Sequence, residues 1–142
     1  MYKICIETNM EDIAKLEKEV FKFRGYSYKE LCEMNEKKEL YSFFSARNEE
    51  GKILGYIILF DNSDSLEIMK IGVLPEARQQ GIASLLIDEV KKKDRDIFLE
   101  VRENNMSAIK FYEKNFFCKI GQRKNYYSDT GESAILMSWN VN

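Results

Sequence analysis

The sequence predicts an α/β layer fold in one domain over residues 1–142, and three observations carry that prediction. First, Leu66 to Arg102 reads as strand, glycine turn, helix and strand. Such a unit folds as a right-handed parallel crossover. Second, Tyr41–Ala46 and Ile53–Phe60 read as two strands around a charged turn, Arg47 to Lys52, with Gly51 at the bend. That is a hairpin. Third, strand and helix periods alternate along the chain, with no linker, repeat or low-complexity tract. Mixed strands flanking the crossover give α/β layers.

Taken in order, Tyr2 to Thr8 alternates as a strand does. Asn9 is a cap for a helix from Met10, with Glu11 and Asp12 in its first turn, where negative charge is favoured. Ile13, Leu16, Val20 and Phe23 form its apolar stripe, and Gly25 breaks it. Ser27 and Glu30 have the spacing of a capping box for a second helix through Leu31 and Met34. After the hairpin, Asp61–Ser65 is a turn. Glu67–Leu74 is apolar enough for a strand buried on both faces. Gly72 within it suggests a bulge or a close backbone approach, and Pro75 stops it. Ile82, Leu85, Leu86 and Val90 mark one face of a helix that Lys91, Lys92 and Lys93 close. A strand at Ile97–Arg102 and a helix at Ser107–Asn115 repeat the pattern. Strands Phe117–Gln122 and Ser133–Asn140 complete the sheet.

Composition narrows the function. Hydrophobic residues make up 44% and charged residues 32%, as in ordinary globular proteins. A net charge of −2 argues against a general nucleic-acid binder. Cys5, Cys32 and Cys118 lack zinc-ligand spacing, and the chain has no histidine. A metal site and histidine-based catalysis are therefore not expected, and three buried, reduced thiols are. The segment MYKICIETNM has no leader pattern, and no apolar run reaches the ~20 residues of a membrane span. A cytoplasmic protein with no membrane partner is the expectation.

The chemistry-bearing stretch is VLPEARQQGIASLLIDEV. Its turn feeds a helix whose first N–H groups are free and whose end carries partial positive charge. Gln80, Gly81, Ile82 and Ala83 would aim N–H groups into the mouth of the turn, and small residues at Gly81 and Ala83 admit an anion. This is a phosphate or pyrophosphate cradle. On spacing alone, an ordinary strand–turn–helix connection fits as well. There is no Gly-x-Gly, so the dinucleotide fingerprint is missing. Gly51-Lys52 lacks the upstream glycine of a P-loop.

On Glu100 the residues leave two readings open. Ile97, Leu99 and Val101 point one way along the strand, so Phe98, Glu100 and Arg102 point the other. A carboxylate among apolar neighbours is costly unless paired or functional. It is either a general base or a structural partner of Arg102 or a lysine. Tyr112 aligns with Asn105, Ala108 and Ile109 at helical spacing, and by itself reads as a core tyrosine.

The stretch with Arg78, Gly81 and Ala83 resembles the acetyl-CoA signature of the GNAT acetyltransferases, Arg/Gln-x-x-Gly-x-Gly/Ala. Within that superfamily, LEVRENNMSAIKFYEKNFFCKIGQRKNYY resembles the RimI type, the ribosomal-protein-alanine N-acetyltransferases. The resemblance is densest from Ile71 to Met137. It implies the GNAT fold: a mixed, mostly antiparallel sheet with splayed parallel central strands and about four helices. It implies acetyl-CoA as donor, held in that splay, with no metal. Cofactor contacts then fall to Ile71, Gly72, Val73, Arg78, Gln79, Gln80, Gly81, Ile82, Ala83, Ser84 and Asn105. A backbone kink at Gly72 would free N–H groups of Ile71, Gly72 and Val73 for the arm or the carbonyl oxygen. Glu100 matches the family's proton acceptor, and Tyr112 the residue that protonates the departing thiolate. Arg123 and Tyr126-Tyr127 match a segment of the peptide-binding side. The family's Pro-Trp-Ser reads Gly25-Tyr26-Ser27 here, and its Glu-Asp-Ala reads Glu132-Ser133-Ala134. The implied acceptor is a protein N-terminus, foremost the N-terminal alanine of a small-subunit ribosomal protein. The alternatives are another peptide, a lysine or a small amine, and then an inactive acyl-CoA-binding module.

Overall fold

A computed structural model describes residues 2–22 and 25–141. Phe23, expected on the first helix's stripe, lies outside the described residues. The strands are β1 (Lys3–Ile6), β2 (Tyr41–Arg47), β3 (Ile53–Asp61), β4 (Leu66–Val73), β5 (Ile97–Arg102), β6 (Cys118–Arg123) and β7 (Ala134–Trp139). The helices are α1 (Met10–Phe21), α2 (Tyr28–Glu36), α3 (Ile82–Lys91) and α4 (Met106–Lys114). One seven-stranded sheet runs β1-β2-β3-β4-β5-β7-β6. Every neighbouring pair is antiparallel except β4 and β5.

Local chemistry accounts for the element ends. Asn9 accepts the Asp12 N–H and caps α1. Ser27 and Glu30 form the capping box of α2. Pro75, which ends β4, opens a short 3₁₀ turn over Pro75–Ala77. The expected three buried thiols are corrected: all three cysteines are free, but Cys5 and Cys32 are half-buried and Cys118 is exposed. Cys118 stands on β6, the outer strand, most of whose residues face solvent.

Two adjacent glycine-region contacts show how the layers are stacked. A side chain at Gly55 would meet Ile82 of α3, whereas Tyr56 reaches Glu17 of α1. Successive strand residues face opposite sides. So α1 covers one face of the sheet and α3 the other. Asn115, at the end of α4, ties that helix to α3 by donating to Ser84 Oγ at 3.3 Å.

The position of the kink in β4 differs from expectation. Lys70 pairs with Ile58 and Ile68 with Leu59, so Met69 is the extra, bulged residue. Parallel pairing of β4 with β5 ends at the same level, on the rung Ile68–Leu99. The central strands part beyond it. Gly72 has the other role the sequence allowed, a close approach. An added Cβ there would lie 2.9 Å from Tyr56 Cε1 and 3.1 Å from Phe21 Cε2. The Tyr56 hydroxyl donates to buried Glu17, so that ring cannot swing away. Gly72→Ala is therefore expected to cost about 1–3 kcal/mol, read from urea unfolding at pH 7. An unchanged midpoint would reject the contact.

Candidate active site

The site begins at the turn between β4 and α3. Gly81 caps α3 with φ +80°, and Gln79 also has positive φ, at 65°. Leu85 N–H is bonded to Gly81 O at 3.0 Å. The N–H groups of Ile82, Ala83 and Ser84, ahead of it, have no carbonyl one turn back. A Cβ at Gly81 would meet nothing within 4 Å, so space lies open above these donors. A cavity of about 400 Å³ occupies it, lined by Arg78, Gln79, Gly81, Ile82, Ala83, Ser84, Phe111 and Lys114, among others. Free N–H groups, a helix dipole and two cations suit a diphosphate. Gln80 stands apart: its side chain accepts from Tyr2 and donates to Glu76 O at 3.4 Å, and it does not line the cavity.

The cavity continues between the parting strands. Its next portion, about 370 Å³, is bounded by Ile71, Gly72, Val73, Asn105, Ala108 and Tyr112. Leu74 N–H bonds Leu54 O at 2.9 Å. Antiparallel alternation from that point turns the Gly72 N–H toward β3 and those of Ile71 and Val73 toward the gap. Two of the three expected donors therefore face the gap, and Gly72 serves by its missing side chain. The Arg78 side chain crosses the entrance and donates to Val73 O at 3.1 Å.

The far portion, about 420 Å³, is lined by Met69, Lys70, Glu100, Arg102, Tyr112 and Tyr127, among others. Phe98, Glu100 and Arg102 are half-buried while Ile97, Leu99 and Val101 are buried, the alternation read from the sequence. Glu100 Oε2 is buried without a hydrogen-bond partner among the described residues. The structural pairing with Arg102 is not made: Arg102 instead holds Asp129 at 3.0 Å and Glu132 at 3.2 Å. Its guanidinium also lies 4.0 Å from the Tyr127 ring centre, fixing the β6–β7 connection. Among the described residues Glu100 has one ion pair within 4 Å, with Arg123, whose Nε is 3.7 Å from Oε1. Tyr112 is buried against Phe111 and Phe117. Its hydroxyl has no hydrogen-bond partner among the described residues, and burial raises its pKa. Asn105 caps α4 by accepting the Ala108 N–H at 3.3 Å, and it lines both inner portions.

Sequence reading missed several parts of this wall. Ala108, Phe111 and Lys114 recur every three residues on α4, a stripe that was legible but had no phosphate to point to. Glu17 and Lys70 gave no signal. Glu17 is fully buried and takes the Tyr56 hydroxyl, the Tyr26 N–H at 2.5 Å and Lys70 at 3.2 Å. Lys70 Nζ also sits 4.3 Å and 4.6 Å from the ring centres of Phe21 and Tyr26. Only the fold brings α1, the loop after it, β3 and β4 together there.

Residues 8–116 match the acetyltransferase (GNAT) family. The chain belongs to that family, whose members take an acetyl group from acetyl-CoA. It is similar to the [ribosomal protein bS18]-alanine N-acetyltransferase of Escherichia coli K12, with 34% identity over 63% of this chain and 66% of that one. It is also similar to an N-alpha-acetyltransferase of Saccharolobus solfataricus, 42% identical over 63% of this chain and 64% of that one. Each alignment thus spans just under two thirds of the relative. The crystal structure of the ribosomal-protein-S18-alanine N-acetyltransferase from Escherichia coli superposes with a TM-score of 0.86 at 27% identity. That superposition covers 100% of this chain and 95% of the other. The GNAT fold expected from the resemblance is the fold observed.

A side chain in the cradle should exclude the donor. Gly81→Val places a branched group where the anion would lie and strains a left-handed residue. Affinity for acetyl-CoA is expected to fall at least about tenfold by calorimetry, the loss of a single charge-assisted hydrogen bond. Unchanged affinity would remove the cradle from the site.

Proposed function

We propose that the protein transfers the acetyl group of acetyl-CoA to the α-amino group of a protein N-terminus. Its foremost acceptor is the N-terminal alanine of a small-subunit ribosomal protein, and the reaction takes place in the cytoplasm. The observation that carries the reading is the buried Glu100 Oε2, which has no hydrogen-bond partner among the described residues, at the end of a gap whose other end is a free helix N-terminus. The names of the relatives support it.

Acetyl-CoA supplies an activated acetyl thioester. The N–H groups of Ile82, Ala83 and Ser84, with Arg78 and Lys114, hold the diphosphate end. The N–H groups of Ile71 and Val73 face the gap and stabilise negative charge on a carbonyl oxygen there. Glu100 accepts a proton from the incoming ammonium, and Tyr112 gives one to the departing sulfur. An α-amine, with a pKa near 8 against about 10.4 for lysine, needs only a weak base. That favours an N-terminal acceptor. The test is a mass-spectrometric screen of N-terminal peptides, lysine peptides and small amines. Acetylation at the α-nitrogen of alanine peptides is expected; exclusive modification of lysine or of a small amine would overturn the reading.

A further inference from the structure

Glu100, which lines the far portion of the gap, has a second partly buried carboxylate, Glu67, on the neighbouring strand. Glu67 of β4 pairs in register with Phe98, two residues before Glu100 on β5. Residues two apart on a strand share a face. Glu67 and Glu100 therefore lie on the same face of adjacent parallel strands, just before those strands part. Neither carboxylate accepts a hydrogen bond from a described residue. Glu67 has no ion pair within 4 Å among the described residues, and Glu100 has only Arg123 at 3.7 Å.

The other described cations that line the far portion are committed. Lys70 is paired with Glu17, and Arg102 with Asp129 and Glu132. Among the described residues, Tyr26 from the segment before α2 feels the charge of Glu67, and Tyr127 from the β6–β7 connection feels Glu100. The β3 neighbour of Glu67 is Phe60, which is apolar. Burial first, then the charge of Glu100, raises the proton affinity of Glu67, and Arg123 opposes this.

We propose that Glu67 is a second proton acceptor of the reaction, working beside Glu100. This rests on the N-acetylation reading given above. The nitrogen of an ammonium substrate loses two protons in each turnover, one to become a nucleophile and one as the amide forms. A single carboxylate holds one. The first N–H bond breaks as Glu100 gains an O–H bond, and the second breaks as Glu67 gains one. One of these protons replaces the proton that Tyr112 gives to the leaving sulfur, and the other goes to water. Both carboxylates are then ionised again. Overall an ammonium and a thioester become an amide, a thiol and one released proton.

The variant Glu67→Gln tests this. A raised pKa in the folded state means that ionised Glu67 costs stability as pH rises through that value. Glu67→Gln should thus be at least as stable as the parent at pH 7. Affinity for acetyl-CoA is expected to be unchanged by calorimetry. With an alanine peptide, kcat should fall about 10–100-fold while KM moves little. The acid limb of log kcat/KM should rise by about two decades per pH unit in the parent and about one in the variant, because one of two groups that must be ionised is gone. Glu67→Asp should restore the steeper limb. Superimposable profiles would overturn the proposal. A second readout needs no turnover: carboxyl NMR titration should show the Glu67 midpoint moving down in Glu100→Gln, and no movement would overturn the pair. A parent enzyme that acetylates no amine would reject the N-acetylation reading, while the NMR titration still decides whether the two carboxylates are coupled.

Discussion

Glu100→Gln is expected to lower kcat/KM with an alanine peptide by about 10²–10⁴-fold, with affinity for acetyl-CoA unchanged. The substitution keeps the size of the side chain and removes its ability to accept a proton. Glu100 makes no hydrogen bond with a described residue, and its ion pair with Arg123 is long and partly solvated, at 3.7 Å. A surface-type pair of that kind contributes about 1 kcal/mol or less. The effect should accordingly fall on turnover and spare stability. Tyr112→Phe gives the complementary result, slower turnover with acetyl-CoA still bound, because the ring packing remains and only the hydroxyl is lost. Steady-state kinetics with calorimetry separate the two. Full activity of Glu100→Gln would return Glu100 to a structural role.

Glu17→Ala is expected to be the most destabilising single change near the site, by about 3–5 kcal/mol. It leaves the Tyr56 hydroxyl buried without its acceptor and removes the 3.2 Å ion pair with Lys70. It also releases the Tyr26 N–H, which holds the segment leading into α2. Burial and the charge of Glu17 push the pKa of Tyr56 upward, so the phenol stays neutral and remains a donor. Set against a typical total of about 5–15 kcal/mol, such a loss is a large share. Urea unfolding at pH 7 checks it. A loss below about 1 kcal/mol would mean that water satisfies these groups as well as Glu17 does. Lys70 lines the far portion of the gap, so the KM for peptide should also rise in any folded fraction.

Much of this was legible in the sequence because it is local. The capping residues Asn9 and Ser27, the strand alternation around Glu100 and the turn at Gly81 each act within a few residues. The kink in β4 was not. A lone glycine marks where a side chain cannot fit, and at Gly72 the obstacle is Tyr56, on the neighbouring strand. The bulge itself sits at Met69, a residue with no conformational signature. It is set by the pairing of β4 with β3. The Glu17 cluster was hidden for a related reason: its members lie 9 to 53 positions apart in sequence. Glu67 read as an ordinary strand residue until its register with β5 was known.

The most direct test is a crystal structure of the protein with coenzyme A. The account predicts the diphosphate on the N–H groups of Ile82, Ala83 and Ser84, and the arm running between β4 and β5 past Ile71 and Val73 toward Tyr112. A diphosphate bound elsewhere, or a gap filled by the protein's own side chains, would contradict it.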